Sequence, residues 1–167
     1  MSPLQKVRTE YRDLTALHAS VSLLNWDRQV LMPSGGSEAR SIHIGRLTAL
    51  AHQRLLNPTL RRAVEDARAD VAGDPVAERE LALIQRQIDQ ASKLPLKLIT
   101  RKAEIASQSY EVWRRARPSN DFDALRPYLI SLFDIAQETS SALGYTEHPY
   151  DPLLDLYEEG AKTSDVI

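Results

Sequence analysis

Proline sits directly after a helix-capping residue at Ser2-Pro3, Asn57-Pro58, Asp74-Pro75 and Asp151-Pro152. At the first position of an α-helix its missing N–H goes unused and its fixed φ is already helical, so each pair reads as a helix start. No stretch alternates apolar and polar residues long enough for a strand. The fold class that follows is all-α: antiparallel helical hairpins or a bundle of about six long helices plus a short C-terminal helix. A chain of 167 residues, 43% hydrophobic and 26% charged, is long enough for its own core, so residues 1–167 are read as a single helical domain.

Periodicity fills in the helices. The first runs from about Pro3 to Leu31, with Leu4, Val7, Tyr11, Leu14 and Val21 at helical spacing and Leu17, Leu24 and Leu31 beside them. Its second half, "LLNWDRQVL", is apolar nearly all round, which predicts packing on several sides. Ser37 is expected to cap a second helix reaching Leu56, with Ile44, Leu47, Ala51 and Leu55 buried. The third carries Leu60, Val64, Ala67 and Val71 and closes at Gly73. In the fourth, Ala77, Leu81, Ile84, Ile88 and Ala91 keep a heptad, fitting either a core or a dimer face. Pro95 opens a fifth, with Ile99, Ala103, Ala106, Tyr110 and Trp113 inward, and a sixth spans Phe122 to Leu143, kinked or restarted at Pro127. Asp151-Pro152 starts a short helix through Tyr157, Gly160 ends it, and Thr163 or Ser164 resembles the N-cap of another.

Charge and composition exclude several functions. A net charge of -2 offers no field for a phosphate backbone, so no nucleic-acid partner is expected. The absence of cysteine removes disulfides and thiolate ligands together. No apolar run reaches the length of a membrane span or a signal h-region, which predicts a cytoplasmic protein with no membrane partner.

Candidate chemistry is sparse. The histidines are His18, His43, His52 and His148, none in an H-E-x-x-H pair. His43 and His52 are nine residues apart, about two and a half turns, and point to opposite sides of one helix. His18 falls in the apolar stripe and reads as a core histidine. Asp151, Asp155, Glu158 and Glu159 cluster where a cation or a basic partner could sit, or where solvated helix-end charge is enough. "PSGGS" lacks both the G-x-S-x-G and the phosphate-loop contexts.

A wider pattern emerges from "LLNWDRQVLMPSGGSEARSIHIGRLTALAHQRL", "KLPLKLITRKAEIASQSYEVWRRARPSNDFDALRPYL" and "ALGYTEHPYDPLLDLYEEG". In this order the three resemble the N-terminal region of the M32 metallocarboxypeptidases, the carboxypeptidase Taq type. Trp26, Asp27, Met32, Pro33, Arg40, Leu47 and His52 match the first signature; Trp113, Asp121, Phe122 and Pro127 the second; Pro149, Tyr150, Asp151, Tyr157 and Glu158 the third. His43 departs from the Gln common in the family. None of these positions is a catalytic or metal-binding residue of the family. The resemblance implies that the zinc-binding H-E-x-x-H helix, the third ligand and the substrate-carboxylate residues lie beyond this stretch of chain, and that no cofactor is held here. It also implies a homodimer.

The expectation is therefore a truncated M32 carboxypeptidase-like protein, inactive by itself, that acts through self-association or by binding a peptide or a full-length family member. The alternative is an N-terminal fragment of an active zinc carboxypeptidase. The starting Met favours the first. Within this reading Trp26 fills the gap at the first helical corner and Asp27 ties the turn through hydrogen bonds or an arginine, although direct ligand contact also fits. A buried Trp26 predicts a loss of about 3–5 kcal/mol on truncation to alanine.

Overall fold

The computed structural model describes residues 1–166. Among them every regular element is helical: α1 (Pro3–Val30), α2 (Ser37–Leu55), α3 (Pro58–Asp70), α4 (Pro75–Lys93), α5 (Leu96–Ser119), α6 (Phe122–Leu143) and the short α7 (Asp151–Asp155), with single 3-10 turns at Ser34–Gly36 and Thr163–Asp165. The backbone forms two compact units, Met1–Ser92 and Lys93–Ile167.

Three of the four proline-linked start signals act as their chemistry requires; Asp151 does not cap, being already the first residue of α7 behind Tyr150, with its carboxylate drawn to Thr163 and the His148 amide. Ser2 Oγ accepts the Gln5 amide at 3.2 Å while Gln5 Oε1 accepts the Ser2 amide at 3.1 Å, a reciprocal capping box with Pro3 in the first turn. Asn57 accepts from the Thr59 amide at 2.9 Å, and Asp74 Oδ1 takes the amides of Val76 and Ala77, each at 3.1 Å. Ser37 is not a cap: it is already the first residue of α2, because the 3-10 turn brings the chain into helical dihedrals early and leaves Gly36 at the capping position.

In the first unit, α1 packs against α2 and α3, and four helices share one core. Val7 and Leu14 of α1 meet Ala51 and Leu55 of α2, Leu60, Val64 and Ala67 of α3, and Ala77, Leu81, Ile84 and Ile88 of α4. Each large aliphatic so buried contributes about 1.5–3 kcal/mol. The α4 heptad is thus core, with Ala91 packed at its edge. Polar ties at the rim hold α1 to α4: Arg8 grips Glu80 at 2.7 Å and the Tyr11 hydroxyl donates to Gln87 at 2.6 Å.

Two expectations for α1 fail. Its second half is not packed all round: Leu23 is 64% exposed, and Val30 and Leu31 are exposed as well. A helix with one neighbouring layer buries one stripe, here continuing from Val7 and Leu14, and whatever lies opposite stays in solvent. His18 lies on the outer side too, and is an exposed residue, not a core histidine.

In the second unit α5 and α6 form a hairpin joined by Asn120 and Asp121, with Asn120 in the left-handed region (φ 54°) closing α5. α6 is continuous through Pro127 and does not restart. The inward stripe of α5 is turned from the expected one: Leu98 and Ala116 are buried and Ile105 and Val112 half-buried, whereas Ala103, Ala106, Tyr110 and Trp113 are exposed. Both stripes satisfy helical spacing, and contact with α6 selects between them. Ile135, Thr139, Ser140 and Leu143 of α6 are buried, and Lys93 Nζ donates to the Leu143 carbonyl at 2.9 Å.

This packing predicts a contrast between two aliphatic truncations. Ile88→Ala should destabilise the first unit by about 2–5 kcal/mol, while Leu23→Ala should change the stability of the isolated monomer, at concentrations too low for association, by less than about 0.5 kcal/mol. Denaturant unfolding of both variants reads the difference.

Candidate functional site

The signature residues fall into three places. The first is the corner where α1 becomes α2. The Asp27 carbonyl accepts both the Leu31 amide at 3.0 Å and the Met32 amide at 2.9 Å, ending α1; Pro33 breaks the path, and the Gly36 amide returns to the Pro33 carbonyl at 2.9 Å. The Asp27 carboxylate is ion-paired with Arg40 of α2, whose Nη1 also donates to the Leu24 carbonyl at 3.2 Å. One guanidinium therefore binds both the side chain and the backbone of α1's last turns, and both partners are largely shielded from water. Met32 lies over Gly36, where an added Cβ would come within 3.2 Å of its Cγ.

Trp26, one residue before Asp27, does not fill this corner. It is 53% exposed. Successive helical residues point about 100° apart, so an Asp27 turned toward α2 carries Trp26 off the contact face. With Ala16, Ala19, Leu23 and Val30, all exposed, it forms an apolar stripe spaced i, i+3, i+7, i+10, i+14 along α1. Nearby in sequence, Arg28 Nε is shielded from solvent without a hydrogen-bond partner among the described residues. Leu47 and His52 of α2 are half-buried and His43 is exposed.

The second place is the α5–α6 turn. Asp121 caps α6 by accepting the Ala124 amide at 3.1 Å, and the Arg126 guanidinium lies 5.5 Å from the centre of the Phe122 ring. Trp113 pairs with Tyr110, ring centres 6.0 Å apart, and with Ala116, Arg117, Phe122 and Leu125 lines an open cavity of 300 Å³.

The third is the segment after α6. The Ser140 hydroxyl donates to the Pro149 carbonyl. Asp151 Oδ1 accepts the Thr163 hydroxyl at 2.6 Å and the Thr163 amide at 2.9 Å, and these bonds hold the Asp151 carboxyl below the usual carboxylate range. Asp155 accepts the Gly160 amide at 2.9 Å. The two aspartates of the acidic cluster, Asp151 and Asp155, are thus drawn into turn closure. Tyr150 is exposed, Tyr157 is 92% exposed and Glu158 is exposed, with no side-chain partner for the last two among the described residues. Thr163 is not a helix N-cap; its hydroxyl is directed at Asp151, and Lys162 precedes the 3-10 turn instead. Ser140, His148 and Thr163 are the members that periodicity misses, because their partners are set by a fold-back and not by helical spacing.

Chemically these places hold and shape. Among the described residues no three His, Asp or Glu side chains are grouped so as to bind a metal ion. A zinc ion takes three or four such ligands at one point, and this donor set does not fit it. No helix among the described residues is long and apolar enough to cross a membrane.

Comparison with known proteins follows the same outline. The family described as carboxypeptidase Taq (M32) metallopeptidase matches residues 6–167. A thermostable carboxypeptidase 1 of Pyrococcus furiosus is 34% identical over 163 residues, covering 98% of this chain and 33% of the relative. A carboxypeptidase 1 of Bacillus subtilis is 28% identical, covering 84% of this chain and 28% of the relative. A solved structure of the Pyrococcus furiosus carboxypeptidase superimposes with a TM-score of 0.85 at 34% identity, over 99% of this chain and 33% of that one. The chain spans about a third of the length of the relatives it matches.

The corner geometry sets two expectations. A double-mutant cycle with Asp27→Ala and Arg40→Ala should give a coupling of about 1–2 kcal/mol, that of a partly shielded charged hydrogen bond. In the isolated monomer Trp26→Ala, unlike a core aromatic, should lose only about 1 kcal/mol, read by thermal or urea unfolding of the same set at concentrations too low for association.

Proposed function

Because this chain belongs to the carboxypeptidase Taq (M32) metallopeptidase family, we propose that it supplies the family's helical framework and acts by binding or self-association, without peptidase chemistry of its own. The observation that carries this reading is the distribution of the matched residues: those in the interior tie helix to helix, as Asp27 does to Arg40, and none assembles a metal-ligand set. The cytoplasm is the setting we propose for it, with peptides or a longer family member as further partners.

The apolar stripe on α1 supports a homodimer. An antiparallel pairing about a two-fold axis between Ala19 and Leu23 sets Ala16 against the second copy's Trp26 and Ala19 against its Leu23. Small residues then face large ones and the layers interdigitate. Light scattering at low micromolar concentration should give twice 18.8 kDa, and Leu23→Glu should return the chain to monomer. A monomeric parent chain would remove this part of the reading.

A second reading has its own support in the relatives, of which the chain spans about a third: residues 1–167 form the N-terminal part of an active zinc carboxypeptidase. The same stripe and the unpaired Arg28 Nε would then be covered by residues that follow. Release of C-terminal residues from peptides, assayed with zinc or cobalt added, separates chemistry from framework. We expect no metal-dependent turnover from residues 1–167, and a stoichiometric metal with turnover would overturn the proposal.

A further inference from the structure

The segment after α6 is closed by groups that gain or lose protons. Asp151 Oδ1 accepts both the amide and the hydroxyl of Thr163, at 2.9 and 2.6 Å, and Oδ2 accepts the His148 amide at 3.2 Å. The His148 ring nitrogen Nδ1 lies 3.1 Å from the Tyr150 amide nitrogen and 3.1 Å from the Thr163 hydroxyl oxygen. Thr163 has one hydroxyl proton, and at 2.6 Å Asp151 takes it. In the neutral tautomer that carries its proton on Nε2, Nδ1 accepts the Tyr150 N–H and has no proton to give the Thr163 oxygen, whose own proton is donated to Asp151.

Protonation of Nδ1 reverses both relations. The ring must donate, the Tyr150 N–H loses its acceptor, and the new N–H meets the Thr163 oxygen. The outcome is a relay from imidazolium through hydroxyl to carboxylate, with an ionised group at each end.

We propose that His148, Thr163 and Asp151 form a proton-set clasp that ties the closing turn at Thr163 to the start of α7 most tightly when the ring is protonated and the carboxylate ionised. The nearby acids have partners other than the ring. Glu147 pairs with Lys162 Nζ at 3.1 Å, Asp165 accepts the Lys162 amide at 3.1 Å and Asp155 accepts the Gly160 amide at 2.9 Å. From α6 the contact is uncharged, the Ser140 hydroxyl on the Pro149 carbonyl. The Thr163 bonds keep Asp151 ionised below the usual carboxylate range, so two edges bound the tight state. At the upper edge the ring deprotonates and the relay opens. At the lower edge Asp151, whose folded value is depressed, takes a proton as pH falls, and the stabilisation present above that range is lost.

Amide hydrogen exchange of residues 1–167, followed by NMR from about pH 8 to about pH 3 and expressed as protection factors, tests this. The His148 ring resonances mark its titration in the same samples. Thr163 amide protection should rise several-fold as the ring gains its proton, while Tyr150 amide protection falls. At lower pH, Thr163 protection should drop by up to about tenfold per pH unit as Asp151 protonates. His148→Gln should erase the rise and leave the acid drop; Thr163→Val should erase the rise and leave the Tyr150 response. Thr163 protection that stays flat or falls while the wild-type ring titrates overturns the clasp, whether or not the variants fold.

Discussion

A helix buries one stripe per neighbouring layer, and in this chain that limit governs what α1 can be. Val7 and Leu14 seat its first half in a core built with α2, α3 and α4. Leu17 continues the packing against that core, and at the far end Arg40 reaches back from α2 to Asp27 and to the Leu24 carbonyl. Apolar burial thus holds the helix as far as Leu17, and a shielded ion pair that also satisfies a backbone carbonyl holds its last turns. Once Asp27 faces α2, the rotation of the helix is settled, and Leu23, Trp26 and Val30 are turned outward whatever their hydrophobicity.

The helix starts were legible because capping is local chemistry. Asn57, Asp74 and Asp121 each accept amides two or three residues ahead, and nothing distant is needed to make those bonds. Which face of a helix is buried was less legible. In α5 two apolar stripes, one through Leu98, Ile105 and Val112 and the other through Ile99, Tyr110 and Trp113, have equal claims by spacing. Only α6 decides between them. The same holds for Trp26: its size and its Leu and Val neighbours indicate burial, but hydrophobicity says that a residue gains by being covered, not that a cover is at hand. The same is true of His18, whose spacing matches the apolar stripe but which no neighbour among the described residues covers.

The site was legible in part. Asp27 with an arginine, and Asp151 as a structural acid, follow from residue type and place in the chain. The fold-back that brings Thr163 to Asp151 and His148 does not, since those contacts span 12 and 15 residues with no periodic signal between them. Here a threonine that resembles a helix cap in isolation is captured by a carboxylate that has already closed the turn before α7. A local preference yields to a tertiary partner offering two hydrogen bonds at once.

The residues that match the M32 signature divide by what they touch. Asp27, Arg40, Asp121 and Asp151 bond within the chain through their side chains, and their identity is explained by the fold they hold together. Trp26, Tyr150 and Tyr157 are at least half exposed. An exposed tyrosine without a side-chain partner adds little to a monomer's stability, and a serine in its place would fold as well. Large aromatics held outward in this way gain their energetic return only when another surface removes them from water, where each buries more apolar area than most side chains. Folding accounts for the first group, and the proposed association is what the second would serve.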